Sequence, residues 1–200
     1  MVKNLIFDFG DVVIDLNWKA IYGAISAYGI SPEHPALRAA SREYETGQID
    51  TDTFLLRLSQ LFGNTDRETI TRHWNSLIGP LPEGRLEFLE QLRDSNRYRM
   101  FLLSNTNALH MEFVARELGP AGYNRLKACF EGFYLSYELG LRKPDPEIFE
   151  YVLRENRLQP TETLFIDDTL EHTLGAASTG IATWHLQPGK EDVRELLNRI

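Results

Sequence analysis

Leu5-Ile6-Phe7-Asp8-Phe9-Gly10-Asp11-Val12-Val13 is an apolar run broken by two aspartates and a glycine, close to the start of the chain. The segment from Lys3 to Phe7 reads as a short buried strand. Asp8 falls where that strand must end, because a carboxylate is not left unpaired among apolar neighbours. A strand's carboxyl end is where open α/β sheets place their chemistry. Asp8 is therefore the candidate nucleophile around which three later stretches would assemble.

Beyond this run the pattern changes. Trp18–Tyr28, Pro35–Thr46, Thr51–Phe62 and Arg67–Leu77 carry apolar residues at three- and four-residue spacing, which predicts a block of four helices. Ser31-Pro32, Gly47, Asp50-Thr51 and Gly63-Asn64 punctuate it, and Gly79-Pro80-Leu81-Pro82 forms the return linker. From Gly84 onward, helices and apolar strands alternate. The strands are predicted at Arg99–Leu103, Gly132–Leu135, Leu164–Ile166 and Ile181–Trp184. The helices are predicted at Arg85–Ser95, Ala108–Leu118, Pro146–Asn156, Leu170–Ser178 and Glu191–Arg199. Helix-separated apolar strands signal a parallel sheet covered on both faces. The expected fold is thus a Rossmann-like α/β core over residues 1–16 and 84–200, with residues 17–83 inserted as a helical unit.

Composition narrows the function. Of the 200 residues, 42% are hydrophobic and 25% charged, an ordinary globular balance, and no apolar run nears the ~20 residues of a membrane helix. Asp8, Asp11 and Asp15 interrupt the first apolar stretch, so it does not read as a secretory leader and a cytoplasmic location is expected. A net charge of −8 without a dense Lys/Arg stripe argues against nucleic-acid binding, and membrane binding is not expected. The lone Cys129 rules out a disulfide framework and reads as a small core residue. Nothing in the sequence encodes an oligomeric state.

Three further stretches could carry chemistry. Ser104-Asn105-Thr106-Asn107 follows a strand and enters a helix, where unpartnered amides and a hydroxyl make either an anion site or a simple cap. Leu141-Arg142-Lys143-Pro144-Asp145-Pro146 holds Lys143 on a proline-stiffened loop before a helix, although an exposed lysine is the bland alternative. Leu164-Phe165-Ile166-Asp167-Asp168-Thr169 is a strand ending in paired carboxylates, which would repel Asp8 unless a hard cation such as Mg²⁺ sat among them. Four such polar clusters at the ends of parallel strands would meet along one sheet edge.

With these four stretches together, the chain resembles the haloacid dehalogenase-like hydrolases, a superfamily consisting mostly of phosphatases. Phe7-Asp8-Phe9-Gly10-Asp11-Val12-Val13, Leu103-Ser104-Asn105-Thr106-Asn107 and Gly140-Leu141-Arg142-Lys143-Pro144 look most like a bacterial branch acting on sugar phosphates, including an α-glucose-1-phosphate phosphatase. Glu45-Thr46-Gly47-Gln48-Ile49-Asp50 also matches that branch, which makes the helical block resemble a type-one cap. The resemblance implies Asp8 as nucleophile, with Ser104 and Lys143 as catalytic and, together with Asn105, substrate-binding groups. It also implies Mg²⁺ held by Asp8, the Gly10 carbonyl, Asp168 and Asp167. The substrate would be a small phosphorylated metabolite, hydrolysed through an aspartyl-phosphate.

Gly10 departs from the family pattern, which places a second Asp two positions after the nucleophile as general acid and base. Losing it removes a contribution of ~10²–10⁴-fold. Asp11 and His110 are the candidates to replace it, and His172 is read as orienting the acidic loop or facing solvent. Trp18, Tyr22, Tyr44 and Trp74 either face a substrate ring or form helix core. Three other readings stay open: a non-catalytic binder of phosphorylated ligands, a haloacid dehalogenase and a phosphomutase.

Overall fold

Asn4–Phe7 forms β1, and all four of its residues are buried. A computed structural model, which describes residues 1–82 and 84–200, places this strand at the centre of a five-stranded sheet. The other strands are β2 (Arg99–Ser104), β3 (Gly132–Leu135), β4 (Thr163–Asp167) and β5 (Ala182–His185), in the order β3-β2-β1-β4-β5. All pairings are parallel. Phe7 lies level with Leu102 on one side and Ile166 on the other. The chain therefore leaves β1 at the point where connections diverge to the two halves of the sheet, which is where such folds open a crevice.

The two-residue period of the strands sorts the core into layers. Leu5, Phe7, Met100, Leu102, Leu164 and Ile166 face one cluster, which α5 (Arg85–Asp94) and α6 (Ala108–Ala128) cover through Leu89, Leu92, Met111 and Val114. Ile6, Phe101, Leu103 and Phe165 face the other, covered by α8 (Pro146–Asn156) and α9 (Leu170–Ser178) through Ile148, Phe149, Val152 and Ala176. Both faces are covered by apolar side chains, as the continuous apolar strands require.

Between β1 and β2 stand α1 (Trp18–Ser26), α2 (Pro35–Glu45), α3 (Thr51–Leu61) and α4 (Arg67–Asn75). Asn17, His34, Asp50 and Asp66 cap them, each accepting a backbone N–H of the first turn. Their apolar faces close on a separate cluster of Ile21, Leu37, Tyr44, Phe54, Leu58, Ile70 and Trp74, which also takes in Leu109 from α6. The two connecting segments pair with each other: Asn17 N–H donates to the Leu77 carbonyl at 2.7 Å, Gly79 N–H to Asp15 at 2.9 Å and Asp15 N–H to Pro80 at 3.1 Å. The unit boundary expected at residue 83 lies outside the described residues. Among the described residues, no helix is long and apolar enough to cross a membrane.

Three elements differ from the sequence reading. Gly119 takes φ 65° and ψ 167°, and Pro120 starts a second helical stretch, so α6 continues to Ala128 rather than ending at Leu118. A short helix, α7 (Ser136–Leu139), follows β3 directly. The expected last helix is a 3₁₀ segment, Val193–Asn198.

Candidate active site

Asp8 extends the β1 pairing by one residue: its N–H donates to the Ile166 carbonyl at 2.8 Å, which sets it beside Asp167. Lys143 reaches both carboxylates. Its Nζ lies 2.5 Å from Asp8 Oδ1 and 2.7 Å from Asp167 Oδ2, and the lysine is fully buried. Lys143 is thus no surface lysine. Its neighbours hold its pKa above the ordinary value: burial opposes the charge, but Asp167 and Asp8 outweigh it.

Motif-spaced residues fix the loop that carries this lysine. The Asn105 side chain donates to the Lys143 carbonyl and accepts from the Lys143 N–H, both at 2.9 Å. Its amide is therefore committed to the lysine loop. Ser104, the last residue of β2, is buried at the same sheet edge. Thr106 N–H donates to Ser136 Oγ at 3.0 Å, and that hydroxyl donates back to the Thr106 carbonyl at 3.1 Å. Ser136 was not singled out in the sequence, although it too is a polar residue at a strand's carboxyl end.

Asp167 accepts from Thr169 N–H at 2.8 Å and from His172 Nδ1 at 3.1 Å as well as from Lys143. Burial raises its pKa, but Lys143 and His172 prevail and hold the carboxyl below its usual range. His172 thus orients the acidic loop. Asp168 is less well supplied: burial first, then the charges of Asp167 and Asp11, push it up to about 6. Burial likewise raises Asp8, helped by Asp167 and Asp168 and opposed by Lys143. His185 donates from Nε2 to the Asp168 carbonyl at 2.8 Å.

Asp8, Asp167 and Asp168 bring carboxylate oxygens within 4.8 Å of one another. One ammonium against three close carboxylates leaves an excess of buried negative charge. An all-oxygen donor set of that charge fits a hard divalent cation such as Mg²⁺.

Gly10 is crowded. A Cβ there would stand 2.7 Å from Leu16 Cδ1, so the space where an acidic side chain would begin is filled by leucine. Asp11, at φ 54°, turns its carboxylate to Leu16 N–H at 2.9 Å and to Trp18 Nε1 at 3.0 Å. His110 is locked too. Its Nε2 faces the Trp74 carbonyl at 3.2 Å, an acceptor only, so Nε2 carries the proton and Nδ1 accepts from Asn107 Nδ2 at 3.1 Å. Burial pushes it down to about 4, leaving the imidazole neutral.

The helical block meets the core along this seam. Trp74 stacks on His110, Tyr44 Oη accepts from Leu109 N–H at 3.2 Å, and Gly47, at φ 65°, lies so close to the Tyr137 carbonyl that a Cβ would reach it at 2.3 Å. Tyr44 and Trp74 belong to the block's core, whereas Trp18 and Tyr22 are 45% and 44% exposed beside a cavity of about 550 Å³. Cys129 is buried, with its thiol pushed up to about 11 by burial, consistent with a core residue.

Comparison with known proteins agrees with this geometry. The family model for haloacid dehalogenase-like hydrolases matches residues 2–180. A D-ribitol-5-phosphate phosphatase of Bacteroides thetaiotaomicron is 29% identical, covering 98% of this chain and 97% of its own. A sesquiterpene phosphatase of Aspergillus oryzae is 27% identical over 97% and 94% respectively. The crystal structure of a HAD-family enzyme of Bacteroides thetaiotaomicron, a magnesium complex, superposes with a TM-score of 0.88 at 31% identity, covering 99% of both chains. The parallel sheet, the acidic strand ends and a family match over most of the sequence lead to one conclusion: this chain belongs to the haloacid dehalogenase-like hydrolases.

Proposed function

We propose that the protein is a Mg²⁺-dependent phosphatase acting in the cytoplasm on a small phosphorylated metabolite, with Asp8 as nucleophile. The observation that carries this reading is the buried Asp8–Lys143–Asp167 cluster beside Asp168. Asp8 attacks phosphorus in line and the bond to the leaving oxygen breaks. Water then hydrolyses the aspartyl-phosphate, so one hard displacement becomes two easier ones. Lys143 spends two of its three N–H groups on carboxylates and keeps the third for a phosphoryl oxygen. The Ser104 hydroxyl supplies another donor, and Asn105 acts by holding the Lys143 loop in place. Mg²⁺, held by Asp8, Asp168 and the Gly10 carbonyl with Asp167 as a further or supporting ligand, would neutralise charge on the phosphoryl group.

Helices α1–α4 serve as the cap over this site. The sequence resemblance to a branch that includes an α-glucose-1-phosphate phosphatase and the similarity to a D-ribitol-5-phosphate phosphatase differ in substrate but share a polyhydroxylated phosphomonoester, which is the class we favour. Leu16 over Gly10, the two N–H groups on Asp11 and the locked His110 keep each of these three positions from offering an acid to the leaving oxygen. If solvent supplies the leaving-group proton, rates should depend steeply on leaving-group basicity. The same feature favours a second reading, a binder that retains the pocket without turnover.

Purified protein should hydrolyse p-nitrophenyl phosphate with Mg²⁺, and Asp8→Asn should abolish this while leaving the far-UV circular dichroism unchanged. Undiminished activity of Asp8→Asn would overturn the nucleophile assignment. Tight phosphate-ester binding with no turnover of any ester would favour the binder.

A further inference from the structure

Glu45 at the end of α2 and Arg142 just before Lys143 form an incomplete pair. Among the described residues they make the one ion pair between helices α1–α4 and the rest of the chain, and the contact is long, 3.5 Å, although the side chains are only 25% and 24% exposed. Arg142 Nε is buried and meets no acceptor. An unmade hydrogen bond on a buried donor is a standing cost that an incoming acceptor removes. Burial pushes the Glu45 carboxyl above the ordinary range, and Arg142 offsets this only in part. Both side chains line the 550 Å³ cavity together with Trp18, Tyr22, Arg42 and His110.

We propose that Glu45 and Arg142 form a hydroxyl-reading subsite that selects the leaving group, an inference that rests on the phosphatase reading above. A hydroxyl is both donor and acceptor, so it can use the partnerless Arg142 Nε–H and a Glu45 carboxylate, whose oxygens each accept more than one hydrogen bond. Its oxygen takes the Arg142 Nε–H and its hydrogen goes to Glu45; a hydroxyl on the next carbon can engage another guanidinium N–H. Arg142 adjoins in sequence the lysine that sits on the nucleophile, and Trp18 of the cavity wall donates to Asp11, three residues after Asp8, at 3.0 Å, which ties the cavity to the nucleophile's loop. Trp18 and Tyr22, their ring centroids 5.7 Å apart, give an apolar wall for the C–H face of a polyol or sugar. The substrate class is a phosphomonoester of a polyhydroxylated chain or ring. An aliphatic leaving group would leave the buried Arg142 N–H unsatisfied, the condition under which a polar site rejects an analogue most strongly.

The test is a matched pair of esters, a pentitol 5-phosphate and n-pentyl phosphate, with p-nitrophenyl phosphate as reference. The wild type should favour the pentitol ester in kcat/KM by about 10²-fold or more. Glu45→Gln and Arg142→Lys should each lower that ratio about tenfold or more. The folded fraction cancels in the ratio, so a less stable variant still reports. A wild-type ratio near one, or a ratio unchanged in both variants, would overturn the subsite and leave the pair a structural tie. Turnover of p-nitrophenyl phosphate but of neither alkyl ester would also overturn the subsite while sparing the phosphatase reading. Failure on all three esters would overturn both.

Discussion

Arg142 and Lys143 are adjacent in sequence and carry the same charge, yet their surroundings are opposite. Lys143 is fully buried with its ammonium on two carboxylates at 2.5 and 2.7 Å, and its loop is clamped by Asn105. Arg142 has one long contact and a buried N–H with no acceptor. The difference separates two tasks. The phosphate end is the same in every phosphomonoester and can be organised before substrate arrives, which is where electrostatic stabilisation is most effective. In the proposed subsite, the leaving-group end is completed only by a substrate with the right hydroxyls.

Removing Lys143 breaks the finished side of this comparison. Lys143→Met leaves Asp8 and Asp167 without their counter-charge, and urea denaturation should show a loss of about 3–5 kcal/mol, with turnover of p-nitrophenyl phosphate lost as well. A loss within 1 kcal/mol or so would mean the carboxylates are not held ionised by the lysine.

The seam offers a second comparison, between its loose contact at Glu45 and its rigid one at His110. The folded-state pKa of His110 is about 4, against an ordinary 6.5. The unfolded chain therefore takes up a proton first as pH falls. Stability from this group is complete above pH 6.5, declines between 6.5 and 4, and changes no further below that. The decline amounts to about 3 kcal/mol, measured as the difference between wild type and His110→Gln across that range. Parallel pH curves for the two proteins would show that His110 is not held neutral.

Metal sharpens the contrast from the ligand side. If the acidic cluster awaits a cation, Mg²⁺ at a hundredfold over its Kd should stabilise the fold by ~2.7 kcal/mol, and EDTA should remove both that increment and the activity. Thermal melts insensitive to Mg²⁺ would count against the assignment. The smallest effect concerns support for Asp167: His172→Ala should weaken Mg²⁺ activation by about 10–100-fold, read as the Mg²⁺ concentration for half-maximal rate.

Much of the fold could be read from local pattern, because each strand is an apolar run closed by polar residues. β3, α8 and α9 fall on their expected limits, and the other strands begin or end within a residue or two. Gly119-Pro120 was misleading because the same pair that stops one helix starts the next. The aspartates at strand ends stood out for the same local reason, as carboxylates closing apolar runs, whereas Lys143 was marked only by its proline-stiffened loop. What stayed hidden depends on contacts between distant segments. Leu16 over Gly10, Ser136 on Thr106 and His185 on Asp168 join residues that no spacing relates. The vacancy beside Arg142 belongs to this class, since an unmatched donor is visible only once its neighbours are in place.

The central claim is that Asp8 becomes phosphorylated. Turnover of p-nitrophenyl phosphate with Mg²⁺, quenched and reduced with borohydride, would convert an aspartyl-phosphate to homoserine, which peptide mass spectrometry can locate. The account predicts homoserine at residue 8, present only with substrate and metal and absent from Asp8→Asn. Turnover that leaves residue 8 unmodified, or homoserine at Asp11 or Asp168 instead, would contradict it.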